Sequence, residues 1–137
     1  MIVMRRDLKM RKGKIAAQAG HACVEATLMA LASEKRLKQV RVDTERNWVY
    51  LQRGMFDTPT PLTDWFDAGV AKICVYVDSE EELLEVARRA DEMGFLYALV
   101  RDAGHTEFHG EPTYTCLALE PLSAEQVDPL TGDLPLY

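Results

Sequence analysis

The sequence predicts a three-layer α/β/α domain with a mixed sheet of about four strands. Short apolar runs, partly β-branched, alternate with longer stretches of helical period, which is the pattern of strands covered by crossover helices. The last two strand-like runs are joined by about eleven polar residues without a helical period, so that pair is expected to be antiparallel. Met1 to Arg6 reads as the first strand. Asp7 to Lys12 is a basic connection, and an Ala-rich helix runs from Gly13 or Lys14 to about Ala32. Ile15, Ala19, Ala22, Cys23, Ala26, Met29 and Ala30 form its core-facing positions. Residues 33–60 carry little pattern. Glu34 to Lys38 either prolong the helix or leave it, and Trp48 to Leu51 fit a short strand or a helical turn. Pro59 and Pro61 mark a turn, followed by a short helix from Leu62 to Ala68 that Gly69 closes.

Ala71 to Val77 is apolar at nearly every position and is expected to be a central strand. Ser79 with Glu82, or Asp78 with Glu81, opens the next helix as a capping box. Leu83, Val86, Ala87, Ala90 and Met93 are its buried stripe, and Gly94 its C-cap. Strands are predicted at Phe95 to Arg101 and Thr113 to Leu119, a short helix at Ser123 to Val127, and an extended tail beyond. The crossovers predict a largely parallel sheet closed by one antiparallel pair. The 137 residues fit one domain.

Composition narrows the class. No uninterrupted apolar run approaches the roughly 20 residues of a membrane span, and no signal peptide is recognisable, so a cytoplasmic location without membrane association is expected. Cys23, Cys74 and Cys116 are too widely spaced for a zinc site or a disulfide framework. The net charge is −6, but residues 1–46 carry 11 Lys+Arg against 5 Asp+Glu, and the remainder 5 against 17. Arg5, Arg6, Lys9, Arg11, Lys12 and Lys14 are the densest basic run. A phosphate backbone responds to such a local field even on an acidic chain.

Two groups of residues carry chemistry. Lys14, Gln18, His21 and Glu25 lie within an arc of about 60° on the first long helix, beginning at its N-terminus, where free N–H groups and partial positive charge attract anions. Such a stripe also suits plain solvent exposure. The second group is Arg101-Asp102-Ala103-Gly104-His105-Thr106, at the C-terminal end of a strand, where open α/β sheets bind ligands. Asp102 and Gly104 equally suit turn chemistry. In a parallel arrangement the two groups share one edge of the sheet, so that Asp102 can orient Lys14 or a water, and Thr106 can bond a water or a carbonyl. His105 and His109 do not make a metal motif, and no metal or organic cofactor is expected.

Read together, Arg6-Asp7-Leu8-Lys9-Met10-Arg11-Lys12-Gly13-Lys14-Ile15-Ala16-Ala17-Gln18-Ala19-Gly20-His21-Ala22 and Leu99-Val100-Arg101-Asp102-Ala103-Gly104-His105-Thr106 resemble the type 2 peptidyl-tRNA hydrolase family. Thr113 to Leu119 with Pro121 matches its last strand, and the resemblance covers about four-fifths of the chain. It implies hydrolysis of the ester of peptidyl-tRNA, with Lys14, Gln18, Asp102 and Thr106 at the reacting centre. Arg5, Arg6, Lys9, Arg11 and Lys12 would hold tRNA phosphates, with His21, Arg101 and His105 as further substrate-contacting positions. It also implies a fold of four mixed strands and often a homodimer.

Three departures are visible. Residues about 36–60 read as an insertion, His105 stands where the family usually has Arg, and Arg11 where it usually has Gly. The insertion and His105 favour an alternative in which the domain binds RNA or protein without turnover.

Overall fold

The computed structural model describes residues 1–137. Its strands are β1 (Ile2–Arg5), β2 (Val40–Asp43), β3 (Trp48–Leu51), β4 (Cys74–Val77), β5 (Tyr97–Asp102) and β6 (Thr113–Leu119). The helices are α1 (Lys12–Ser33), α2 (Pro61–Asp67), α3 (Glu80–Met93) and α4 (Ala124–Thr131). The main sheet has the order β4-β1-β6-β5, while β2 and β3 pair only with each other. The α/β/α layering and the mixed four-strand sheet are as the sequence predicts.

Three expectations need correction. Only the β1–β4 pairing is parallel, because antiparallel β6 inserts between β1 and β5. β1, β4 and β5 still run in one direction, so the C-terminal ends of β1 and β5 reach the same edge. Secondly, β4 lies at the edge of the sheet rather than its centre. Its outer side is covered by the C-terminal tail: Tyr76 N–H donates to the Pro135 carbonyl and Tyr137 N–H to that of Cys74. A paired edge carries an apolar strand without exposing an aggregation-prone template. Thirdly, α4 extends four residues beyond the predicted end through Pro129, as far as Thr131. Leu130 enters the core from that extension, which offsets the hydrogen bond Pro129 cannot donate.

The alternation of side chains builds two unequal cores. Val3, Val75, Val77, Leu117 and Leu119 face α3 and α4, meeting Leu83, Val86, Ala87 and Ala90. On the other face Ala98, Cys116 and Ala118 meet Ala22 and Ala26 of α1. Small residues on both sides of that contact let α1 lie close to the sheet. α3 begins with Ser79 accepting from the Glu82 N–H (3.1 Å) and ends at Gly94, whose φ of +73° is the left-handed conformation that glycine adopts at least cost.

The segment between α1 and α2 becomes a 3-10 turn (Leu37–Gln39) and a β-hairpin. β3 resolves the ambiguity at Trp48 to Leu51, and β2 was not foreseen. Leu51 joins Ala30, Leu31, Leu62 and Phe66 in a third, smaller cluster at the C-terminal end of α1. Leu31 lies 17 residues from Lys14, or about 25 Å along the helix at roughly 1.5 Å per residue. The hairpin therefore packs far from the start of α1. By length and composition α1 also meets the requirement for a membrane span, although its Ala22–Ala26–Ala30 side is packed within this domain.

Candidate active site

The two groups singled out from the sequence meet at one edge of the sheet. Lys14, in the first turn of α1, and Asp102, the last residue of β5, form an ion pair in which each side chain is only 13% exposed. Lys14 Nζ also donates to Thr106 Oγ1 (3.1 Å) and lies 5.6 Å from the Phe108 ring centroid. An ammonium has three N–H donors, and two are engaged within the protein.

Asp102 is held on every side. Its Oδ2 accepts from Lys14 and from Gln18 Nε2 (3.0 Å), and its Oδ1 accepts from the Gly104 N–H (2.9 Å). The hydrogen bond from Lys14 is the main cause holding its carboxyl below the usual carboxylate range. Gly104, the positive charge of Lys14 and Gln18 add to it, while burial opposes. Gly104 has φ of +83°, and a Cβ there would come within 2.5 Å of the Glu111 carbonyl oxygen. Its own carbonyl accepts from Phe108 (3.3 Å) and Gly110 (3.0 Å), so one glycine folds the whole loop that carries Thr106.

Gln18 is buried at 3% exposure, with both ends of its amide used. Its Oε1 accepts from Thr115 Oγ1 at 2.6 Å. Thr115 reaches α1 because the β5–β6 register slips between Val100 and Arg101, pairing Val100 with Cys116 but Arg101 with Tyr114. The skipped residue turns its side chain to the face it would otherwise leave, as β-bulges do. The network therefore runs from Thr115 through Gln18 and Asp102 to Lys14 and Thr106.

An open cleft of about 590 Å³ lies over this network, lined among others by Lys14, Ala17, Gln18, His21, Asp102 and Thr106. Glu107 forms part of its rim, accepting from Arg11 Nε (2.8 Å) and from the Arg11 N–H (3.2 Å) at the start of α1. A carboxylate there complements the positive end of the helix dipole, and Arg11 holds the Glu107 carboxyl below its usual range. No cluster of His, Cys, Asp or Glu is arranged to hold a metal ion.

A family model described as "Peptidyl-tRNA hydrolase PTH2" matches residues 1–137. The chain belongs to this family. It is therefore a hydrolase of peptidyl-tRNA. The peptidyl-tRNA hydrolase of Methanothermobacter thermautotrophicus is 39% identical over 136 residues, covering 99% of this chain and 96% of that protein. That of Methanocaldococcus jannaschii is 35% identical over 137 residues, with coverage of 99% and 96%. The "Probable peptidyl-tRNA hydrolase 2" of Drosophila melanogaster is 37% identical over 136 residues, but this chain spans 60% of its length.

The cations expected to meet tRNA divide into two kinds in this family member. Arg5 is buried, donating to Asp7 (2.7 and 3.1 Å), Glu80 (2.7 Å) and the Tyr114 carbonyl (3.0 Å), which makes it a staple between β1, α3 and β6. Arg6 pairs with Asp78 and stacks on Tyr76 at 3.7 Å, and Arg11 is tied to Glu107. Lys9 and Lys12 are exposed and form no ion pair. Arg101 is exposed beside the Tyr114 ring, His21 lines the cleft, and His105 is exposed on the loop. Glu25, one helical step beyond His21, lies outside the network. Sequence reasoning missed Thr115, Glu107 and Phe108. The spacing of Glu107 and Phe108 just after Thr106 was a usable signal, whereas nothing local in the sequence marks the bulge at Thr115.

Proposed function

We propose that the network at the head of α1 is the machinery of peptidyl-tRNA hydrolysis, with Lys14 and Asp102 acting as one unit. The observation that carries this reading is the ion pair itself, largely buried and opening onto a cleft. The third N–H of Lys14 is free to stabilise negative charge on the ester carbonyl oxygen as water adds to the carbon. Asp102 orients Lys14 and the attacking water. Its depressed carboxyl pKa makes it a weak base near neutrality, which favours orientation over proton abstraction. Gln18 fixes the Asp102 carboxylate, and Thr106 presents its hydroxyl to the water or carbonyl. Collapse of the tetrahedral adduct expels the ribose oxygen, which takes one proton of the added water and leaves as the free tRNA hydroxyl, while the peptide leaves as its carboxylate and the second water proton passes to solvent. No cofactor enters these steps.

Lys9, Lys12 and Arg101, with His21 at the cleft and His105 on the loop beside it, would meet tRNA, and Arg6 and Arg11 would do so after exchanging their carboxylate partners. Phosphate contacts of this kind set register and orientation rather than chemistry. A cytoplasmic location belongs to the same reading, as does the homodimer implied by the resemblance, which sedimentation velocity checks.

Hydrolysis of N-acetylaminoacyl-tRNA tests the proposal. Lys14→Ala and Asp102→Ala are each expected to lower kcat by roughly 10²–10³-fold, the usual loss for one group that stabilises developing charge. tRNA retention at low salt should persist in both. Near-wild-type turnover in both variants would remove the mechanism, and retention without turnover in the unmodified chain would favour a silent binding module.

A further inference from the structure

Beyond His21, the outward face of α1 lacks the polar cover that a solvent-facing helix normally has. No Lys or Arg occurs between Lys14 and the end of the helix at Ser33. Val24 and Leu28 are 59% and 51% exposed, and Gly20 is open to solvent. Ala17, His21, Val24 and Leu28 fall within an arc of about 60°. Ala17 and His21 already line the cleft above Lys14 and Asp102. The apolar face is thus a direct continuation of the cleft along the helix. It ends where Leu31 is buried beneath the cluster that includes Leu51 of the hairpin.

We propose that this face is the subsite for the peptidyl chain of the substrate, with a preference for apolar residues near the ester. The inference rests on the hydrolase reading. The two halves of the substrate leave the ester carbonyl in different directions and differ in charge. The unpaired cations Lys9 and Lys12 stand just before and at the head of the helix, which suits a polyanion. Beyond His21 the face offers uncharged surface, with Glu25 its one carboxylate, so that part suits an N-blocked peptide rather than phosphate. From Ala17 to Leu28 the helix rises about 16 Å, the span of roughly five extended residues. The small side chains of Ala17 and Gly20 let a backbone approach closely, while Val24 and Leu28 supply apolar contact.

The test compares two substrates in one assay: N-acetyl-leucyl-tRNA, too short to reach Val24, and a tRNA carrying an N-acetylated pentaleucyl chain. In the double variant Val24→Ser/Leu28→Ser, the ratio of kcat/KM for the long substrate to that for the short one should fall by roughly tenfold, the loss expected from two partly buried side chains. Because the readout is a ratio within one protein, loss of folded material cancels. An unchanged ratio overturns the subsite and leaves the hydrolase standing. Equal loss on both substrates, with a shift from dimer to monomer in sedimentation, overturns it in favour of a second copy covering the face. Failure of the unmodified chain on both substrates would instead overturn the hydrolase reading beneath it.

Discussion

The two ends of α1 differ in what surrounds them: the head opens onto the cleft and the foot is capped by the hairpin and α2. At the head, a chain of hydrogen bonds and one ion pair joins four separate parts of the sequence, and no buried side-chain polar atom lacks a partner. At the foot, Leu31, Leu51, Leu62 and Phe66 form a small apolar patch beside a polar knot in which buried Arg36 donates to Glu34, Gln39 and Asp57, and the hairpin above leaves Val42, Val49, Trp48 and Tyr50 between 40% and 63% exposed. A polar network tolerates little change because each lost partner strands another group, whereas a shallow apolar cluster loses only area. Because the head network lines the cleft and the foot cluster does not, the head should control turnover and the foot only stability.

The largest effect that sharpens this contrast comes from Thr115→Val. It removes the donor to the Gln18 side-chain oxygen Oε1 at nearly constant shape, leaving that buried oxygen unpaired at a cost of about 1–3 kcal/mol. We expect a drop in kcat of roughly tenfold alongside the lower stability, since Gln18 no longer fixes Asp102. Denaturant titration and single-turnover hydrolysis separate the two effects, and an unchanged kcat would detach Thr115 from the site. Leu51→Ala should cost a similar or larger amount, about 2–3 kcal/mol, through the lost contact and cavity. Its kcat should nevertheless match the parent below the melting transition. A slowed kcat there would erase the distinction between the two ends.

The cations give a gentler version of the same comparison. Lys12→Ala is expected to weaken tRNA retention uniformly and to reduce the slope of log affinity against log salt by about one, without a shift in melting temperature. Arg5→Ala should do the reverse, lowering melting temperature by removing a buried staple whose carboxylate partners are left behind. The smallest effect is in pH. The Asp102 carboxyl is depressed by Lys14, so its folded-state pKa lies below the unfolded one. The stability it contributes is complete above the ordinary carboxyl value of about 3.9 and is lost as pH falls through the depressed value. The acid limb of kcat/KM assigned to this group should accordingly lie below about 3.9, and a limb in the ordinary range would argue against the ion pair.

The sequence made the head of α1 legible because direction alone brings its parts together. β1 and β5 run the same way, so a helix that follows one and a loop that follows the other share an edge, even with β6 inserted between them. That direction put the stretches holding Lys14, Gln18, Asp102 and Thr106 at one edge, and the family resemblance singled out these four within them. Thr115 was not, because its role depends on a register slip set by pairing with a distant strand. Arg5 looked like the other cations because charge composition does not reveal that Asp7 and Glu80 close around it. The edge position of β4 was hidden for a related reason: its cover is the tail at Pro135 to Tyr137, some sixty residues away in sequence. β2 escaped because Val-Arg-Val-Asp is short and half polar. Its turn is organised by Asp43, which accepts from the Glu45 and Arg46 N–H groups at 3.1 Å each.

The central claim is that an amine and a carboxylate act as one catalytic unit, and a double-mutant cycle measures that directly. Single-turnover hydrolysis of N-acetylaminoacyl-tRNA would be followed for Lys14→Ala, Asp102→Ala and the combined variant. The combined variant is expected to be about as slow as either single one, because removing one partner already disables the other. Losses that multiply, so that the combined variant is slower by the product of the two, would mean that the side chains work independently and would contradict it.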